Sequence, residues 1–204
     1  MESRAFEEDF QQLVAFHGHL CLDIALGYRV AKAAMRALSC ERPSDEELVT
    51  VVENDSCSVD AIQTITGCTF GKGNLVYQPY GKAAYTVYDR RTHRAVRVYC
   101  HFWRDFDTGE GRGFMDLMNR ALGGEGTPED RERFQTTMRE ISCRILDMPE
   151  ARLFTLTPVS GPPPPSARIF ASAACERCGE WTMEIRLTSI DGKRFCQSCR
   201  DFTA

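Results

Sequence analysis

The sequence contains no uninterrupted apolar segment long enough to cross a membrane as a helix. Its first residues, from Met1 to Asp9, are acidic and lack the basic and then apolar segments of a secretory signal. These two absences argue against the classes of integral membrane and exported proteins. We therefore expect a cytoplasmic protein with no membrane partner.

No part of the chain carries a large excess of basic residues. The 25 Lys and Arg residues and 29 Asp and Glu residues give a net charge of −4, and residues 167–204 carry six basic and five acidic residues. Proteins that bind nucleic acid usually present a basic surface. Nucleic acid is therefore a disfavoured partner, although zinc ribbons do bind it, and a regulator of that kind stays an alternative.

Cysteine is abundant, with ten residues in a chain of 204. Without an export signal, this number favours metal or thiol chemistry over a disulfide scaffold. Four of them form two C-x2-C pairs with seventeen residues between the pairs, and we call this set the cysteine quartet: Cys175, Cys178, Cys196 and Cys199. The spacing predicts one tetrahedral Zn²⁺ site.

A proline-rich segment divides the chain. Residues 158–166 include five prolines and one glycine and carry no charge, which predicts an extended, semi-rigid linker. The linker separates a larger domain, residues 1–157, from a zinc finger at residues 167–204.

The larger domain mixes helical and strand patterns. Hydrophobic periodicity predicts helices at 3–16, 22–38, 58–66, 113–122 and 128–146. Runs rich in β-branched and aromatic residues predict strands at 48–52, 74–78, 83–88, 95–103 and 152–157. A polar loop is expected at 104–112. The fold class is therefore α+β, with about five strands.

Two of the four histidines lie close to a cysteine in the segment 16–21. Gly18 favours a non-helical chain, in which His17, His19 and Cys21 would face the same side. Imidazole and thiolate are ligands that a borderline-soft divalent metal prefers. The segment therefore predicts a metal site, and a buried histidine beside an apolar cysteine is the structural alternative.

Cys21 and Cys57 each lie where a predicted helix begins. A helix N-terminus stabilises a thiolate and lowers the pKa of the thiol, which favours a nucleophile or a metal ligand. The nearby acids Asp23, Asp55 and Asp60 act in the opposite direction. For Cys57, a cysteine that only happens to lie in an N-cap region is the alternative.

A glycine-rich turn at 67–74 lacks the spacing of a phosphate-binding P-loop, and a strand follows it where a P-loop has a helix. Cys68 lies one short helix from Cys57 and could reach the same site. Lys72 in this turn and Lys82 after Gly81 are further candidates for binding a cofactor, Lys82 through an anion. A solvated lysine is the alternative for Lys82.

Two segments match the pattern of a known family. The first is Phe16-His17-Gly18-His19-Leu20-Cys21 with Ala25-Leu26-Gly27-Tyr28-Arg29. The second runs from Cys57-Ser58-Val59-Asp60-Ala61-Ile62-Gln63 through Gly67-Cys68-Thr69-Phe70-Gly71-Lys72-Gly73-Asn74-Leu75, and Tyr80-Gly81-Lys82 also fits. Together they resemble the proteins similar to the FmdE component of formylmethanofuran dehydrogenase. Some members are similar to this chain in carrying a treble-clef zinc finger after a linker.

The resemblance implies a thioredoxin-like core with a mixed sheet flanked by helices, assembled as a homodimer. It implies a zinc-binding site made of His17, His19, Cys21 and Cys57, in which His19, Cys21 and Cys57 are the candidate catalytic residues. It also implies an accessory role in an oxidoreductase complex, without defining a reaction. This chain departs from the family pattern, since Leu22-Asp23 replaces the usual Pro-Gly. A thiol redox protein that uses Cys57 with Cys21 or Cys68 is the alternative.

Overall fold

The computed structural model describes residues 7–107, 111–124 and 126–201. Contacts divide the chain into a larger unit, Met1–Ser166, and a smaller unit, Ala167–Ala204. The described part of the larger unit holds six α-helices and one five-stranded sheet. The cysteine quartet lies in the smaller unit.

Among the described helices of the larger unit, the second packs against the first, the third and the sixth. In chain order the helices are α1 (Glu8–His17), α2 (Leu22–Leu38), α3 (Ser58–Thr66), α4 (Phe102–Asp107), α5 (Gly111–Leu122) and α6 (Pro128–Asp147). Among the described residues, none of these helices combines the length and the apolar character needed to cross a membrane. Thr127 caps α6 through reciprocal hydrogen bonds with Asp130, as the Thr-Pro-Glu-Asp sequence predicts.

The sheet has the strand order β2-β1-β3-β4-β5. The strands are β1 (Leu48–Val52), β2 (Leu75–Tyr77), β3 (Ala84–Asp89), β4 (Arg94–Cys100) and β5 (Phe154–Val159). β1 pairs with β2 in parallel, and the other neighbours are antiparallel. The predicted α+β class with a mixed five-stranded sheet is confirmed.

α2 packs closely against α3, and Gly27 sets the distance between them. A Cβ atom on Gly27 would lie 2.6 Å from the carbonyl oxygen of Ser58 and 2.8 Å from Cβ of Ala61. Real Cβ atoms do not approach other atoms this closely, so glycine is required for the contact. The contact brings the first turn of α3 beside the N-terminal half of α2.

The chain leaves the sheet earlier than the strand pattern predicts. Phe102 and Trp103 begin α4 instead of ending the strand expected at 95–103. The backbone N–H groups of His101 and Phe102 both donate to the carbonyl oxygen of Leu153, which ends the β4–β5 pairing. The rings of Phe102, Trp103 and Phe106 then pack against each other, a spacing that suits a helix. Residues 108–110 of the loop expected at 104–112 lie outside the described residues.

Two further elements differ in their bounds. Residues 3–6 of the first predicted helix lie outside the described residues, and α1 begins at Glu8. β5 begins at Phe154, because Glu150–Arg152 form a 3₁₀ turn, and it extends to Val159. Pro158 is tolerated in this strand because β5 lies at an edge of the sheet.

The proline-rich segment belongs to the larger unit, and Arg90 binds the end of this segment to the rest of that unit. The guanidinium of Arg90 donates to the carbonyl oxygens of Pro164 and Pro165, at 2.8 and 3.3 Å. Proline carbonyls keep their acceptor capacity although the residue has no N–H group. This end of the segment is therefore held by hydrogen bonds.

The smaller unit consists of short elements around its cysteines. They are β6 (Ser172–Ala174) paired with β7 (Trp181–Met183), a 3₁₀ turn (Glu184–Arg186), β8 (Thr188–Ile190) paired with β9 (Lys193–Phe195), and α7 (Gln197–Asp201). Cys175 and Cys196 are the buried residues among those described in this unit. The unit therefore has no apolar core of ordinary size.

Candidate metal centre

The connection between α1 and α2 brings His17 and Cys21 towards each other. His17 is the last residue of α1, and Gly18 ends that helix with a left-handed φ of 93°. Cys21 precedes α2 in an extended conformation. Glycine adopts a positive φ without strain, so Gly18 permits the sharp change of direction after His17.

Cys57 completes a group of three candidate ligands, which we call the three-ligand site (His17, Cys21 and Cys57). One ring nitrogen of His17 and the two sulfur atoms all lie within 4.8 Å of one another. The side chain of His17 is 11% exposed, and its Nδ1 lies 2.7 Å from a carboxylate oxygen of Asp60. Its Nε2 is buried and has no hydrogen-bond partner among the described residues.

These features fit a borderline-soft divalent cation. A buried ring nitrogen without a partner is costly unless something occupies its lone pair. Two sulfur atoms beside it supply the soft donors that Zn²⁺ accepts. The three residues therefore form a group that can hold a metal.

For Cys21, the two opposing influences expected from the sequence are both present, and burial decides the direction in which the pKa of the thiol shifts. Burial raises the pKa of its thiol to about 12, and the negative charges of Cys57 and Asp23 add to the increase. The backbone N–H of Ile24, in the first turn of α2, lowers the pKa but does not outweigh burial. Cys21 is therefore a protonated thiol at neutral pH in the metal-free protein, and a bound metal must displace that proton.

His19 does not join the three-ligand site. It is exposed, and the centre of its ring lies 4.5 Å from the centre of the His17 ring. The extended chain that would place His17, His19 and Cys21 on one side is interrupted by the left-handed Gly18. His19 therefore lies beside the buried ligands and faces solvent.

Three residues near the site were not assigned to it from the sequence: Asp60, Trp103 and Tyr85. Asp60 follows Cys57 by one helical turn, a spacing that the sequence does show. Trp103 hydrogen-bonds to the carboxylate of Asp23, whose pKa burial raises. Tyr85 shares a hydrogen bond with Ser58, next to Cys57. Trp103 and Tyr85 reach the site only through tertiary packing.

The other predicted site residues lie elsewhere. Cys68 is fully buried, and the ammonium of Lys72 donates to the carbonyl oxygen of Asp45 at 3.2 Å. The ammonium of Lys82 lies 5.9 Å from the ring centre of Tyr80. None of these three belongs to the group around His17.

A groove of about 780 Å³ lies between α1, α2 and α3. It is lined by Phe16, the neighbour of His17, and by Gln63, but by none of the three ligands. The amide of Gln63 donates to Asp60 at 3.2 Å, so this side chain contacts both the groove and the residue beside His17.

The sulfur atoms of the cysteine quartet lie within 4.8 Å of one another. Cys175 and Cys178 occupy the turn between β6 and β7, which Gly179 closes with a positive φ. The backbone N–H groups of Cys178 and then Cys196 lower the pKa of Cys175 to about 6.

The pKa values of the two cysteines of the second pair shift in opposite directions. The hydroxyl of Ser198 and the N–H of Cys199 lower the pKa of Cys196, whereas burial raises the pKa of Cys199 to about 12. Backbone N–H groups aimed at sulfur stabilise the thiolate that a metal needs. Two of the four converging sulfur atoms, those of Cys175 and Cys196, are stabilised in this way, and the four together form a second group that can hold a metal.

Residues 16–155 match the family model described as FmdE, molybdenum formylmethanofuran dehydrogenase operon. The chain belongs to the FmdE family. This confirms the resemblance carried by the segments around Cys21 and Cys57, and the match includes all three ligands of the three-ligand site.

Two known proteins are similar to this FmdE-family chain. A probable S-adenosyl-L-methionine-binding protein of Archaeoglobus fulgidus is 34% identical over 179 residues, which are 84% of this chain and 48% of that protein. The chain thus spans about half the length of this curated relative. A tungsten formylmethanofuran dehydrogenase FmdE-like protein of Syntrophus aciditrophicus has a TM-score of 0.58 at 22% identity, covering 98% of this chain and 95% of that one. The second likeness supports the fold.

Proposed function

We propose that this FmdE-family protein binds two zinc ions, one in the three-ligand site and one in the cysteine quartet, with different roles. The convergence of His17, Cys21 and Cys57 within 4.8 Å carries the proposal for the first site. Sites that use three protein ligands leave one coordination position for water or substrate, whereas four-cysteine sites are closed and structural. The first site is therefore the candidate active site, and the second stabilises the smaller unit.

A metal in the three-ligand site would act as a Lewis acid towards a molecule at the fourth position. The protein contributes the remaining features of that position. His19 is exposed beside it, where it can contact an incoming ligand or supply the fourth donor. Asp23 is anchored by Trp103 close to the thiol of Cys21, so a carboxyl group lies in the neighbourhood of the bound molecule.

The order of elements in the smaller unit supports the treble-clef finger that the family resemblance implies. One cysteine pair lies in a β-turn, a hairpin follows, and the second pair lies at the start of a terminal helix. We extend the zinc assignment to this unit because four cysteines in two C-x2-C pairs are a common structural zinc set.

Metal analysis of the full-length protein tests both assignments. The parent should contain two equivalents of zinc, and Cys57→Ser and Cys178→Ser should each contain one. Zinc content that stays at two equivalents in Cys57→Ser would overturn the three-ligand site. Loss of both equivalents in Cys178→Ser would contradict the independence of the two sites.

S-adenosyl-L-methionine binding is a second candidate function, supported by the 34% identity to the Archaeoglobus protein. That relative is about twice as long as the matched region, so its ligand site need not lie in the shared half. Calorimetric titration of this chain with S-adenosyl-L-methionine decides the matter. Absence of binding to this chain would remove this candidate function.

Thiol redox chemistry with Cys21 and Cys57 is a weaker candidate. Their sulfur atoms are close, which favours it. The pKa of Cys21, raised to about 12 by burial, disfavours it, because a protonated thiol is a poor nucleophile. Cys68 is buried outside the group, so a pair of Cys57 with Cys68 has no support from their positions.

A further inference from the structure

We infer that Asp60 is a positioning residue that fixes the tautomer of His17 so that Nε2 presents its lone pair to the metal. The inference rests on the proposed function of the three-ligand site and adds a residue that no ligand motif contains. A carboxylate can only accept a hydrogen bond. At 2.7 Å from the carboxylate of Asp60, Nδ1 must therefore carry the proton, and Nε2 of the neutral ring is left bare.

The tautomer of His17 determines whether the site can bind a metal, because Nε2 is buried. Nε2 has no hydrogen-bond partner among the described residues, although it lies in a nearly closed environment. The opposite tautomer would place an N–H group there and leave no lone pair for a metal. Hydrogen-bonded carboxylates commonly orient metal-binding histidines in this way.

Asp60 is itself held in place. One of its carboxylate oxygens accepts the hydrogen bond from His17, and the other accepts from the amide of Gln63 at 3.2 Å. The N-cap of α3 is Cys57, and Asp60 and Gln63 follow it within the helix at intervals of three residues. This spacing places them on successive turns of one side of the helix.

A single short helix therefore supplies one ligand directly and orients a second. Cys57 contributes its sulfur, and Asp60 holds the ring that α1 contributes. A shift of α3 would move both together. The Cys-x-x-Asp spacing in this chain is therefore part of the metal site and not only a sequence of helix-forming residues.

Three variants of the full-length protein test the inference. Asp60→Ala removes the acceptor, Asp60→Asn keeps a carbonyl acceptor without the charge, and Asp116→Asn removes an exposed carboxylate on α5, away from the three ligands. Titration with Co²⁺, followed by its absorption bands, should show affinity at the three-ligand site about 10–100-fold weaker in Asp60→Ala. Asp60→Asn should be intermediate, and Asp116→Asn should match the parent.

Nitrogen-15 spectra of the metal-free proteins supply a readout that a purely structural role would not change. The parent should show a protonated Nδ1 and a bare Nε2 on His17, and Asp60→Ala should show a mixture of tautomers. Unchanged affinity or an unchanged tautomer in Asp60→Ala, or in Asp60→Asn if the alanine variant does not fold, would overturn the positioning role. Failure of the parent to bind Co²⁺ at the three-ligand site would instead overturn the proposed function, since the tautomer is measured without metal.

Discussion

Cys21 and Cys57 each occupy the residue immediately before a helix, and their sulfur atoms lie within 4.8 Å of each other. The two helices that follow, α2 and α3, touch at Gly27 and Ser58. The close approach of the helices therefore sets the distance between the thiols. Packing and the candidate chemistry depend on the same contact.

Replacing Gly27 with alanine should disturb both the packing of α2 against α3 and the candidate metal site. The new Cβ atom would lie 2.6 Å from the backbone oxygen of Ser58, so α3 must move away from α2. Overpacking of this kind usually destabilises a protein by about 1–3 kcal/mol, which urea unfolding would measure. Displacement of α3 should also weaken metal binding at Cys57.

Gly113 provides the matched control for this substitution. It lies in α5, and a Cβ atom there would meet nothing within 4 Å. Gly113→Ala should therefore stabilise the protein by about 0.4–1 kcal/mol. If Gly27→Ala were as stable as Gly113→Ala, the close contact between the helices would not constrain the site.

Alkaline pH should destabilise the metal-free protein through Cys21. Burial raises the pKa of this thiol from its usual 9.0 to about 12, so the folded state favours the protonated form. That contribution is complete below pH 9 and is lost as the pH rises towards 12, at up to about 1.4 kcal/mol per pH unit. Urea unfolding from pH 8 to 10.5 should show this slope in the difference between the parent and Cys21→Ser.

The serine variant has no thiol at this position, so other titrating groups cancel in the comparison. Parallel pH profiles for the two metal-free proteins would contradict the buried, protonated state of Cys21. The affinity for metal should instead increase as the pH rises, because the proton of Cys21 must leave before its sulfur binds a metal. Affinity at the three-ligand site should therefore rise about tenfold per pH unit from this thiol.

Much of the fold follows from local sequence. The bounds of α2, β1 and α3 agree with the predicted ranges, because apolar periodicity and the stop at Gly67 are strong local signals. The prediction was wrong at Phe102 and Trp103, because aromatic residues directly after a strand favour a continuation of that strand. Their helix depends on Leu153, fifty residues later, which ends the sheet pairing.

In the candidate site, too, some features follow from local sequence and others depend on tertiary packing. The thiols and His17 were predicted from the composition of two short segments, and the family match includes both of them. The orientation of His17 and the raised pKa of Cys21 depend on Asp60 and on burial, which arise when α1, α2 and α3 pack together. Sequence spacing identifies the donor atoms but not the environment that controls their protonation.

Assembly as a homodimer, which the FmdE resemblance implies, stays a prediction. The larger unit exposes aromatic side chains, including Phe16 at 63%, Phe70 at 79% and Tyr80 at 60%. Exposed apolar groups are frequent at protein interfaces. Light scattering at micromolar concentration should give twice the 23.0 kDa mass of the chain. A monomeric mass at this concentration would contradict the prediction.

Removal of metal from the cysteine quartet should unfold the smaller unit alone. Cys175 and Cys196 are the buried residues among those described there, so the proposed metal would take the place of an apolar core. In Cys178→Ser, proteolysis should cut within residues 167–201, while the larger unit should keep its melting temperature. Cys143→Ser is a suitable control, because Cys143 lies on α6 outside both ligand groups. A protease-resistant smaller unit after complete chelation would show that metal does not hold it together.

The two histidines of the segment 16–21 should differ in their effect on metal binding. His17 is buried within reach of both thiols, whereas His19 is exposed beside it. His17→Ala should therefore abolish binding at the three-ligand site, and His19→Ala should weaken it far less, with each variant compared by zinc competition. Cobalt spectra of His19→Ala add a second test, because loss of a fourth donor would change the absorption bands even where affinity is nearly kept. Equal losses of affinity in the two variants would make His19 a full ligand and would require the segment around Gly18 to rearrange when metal binds.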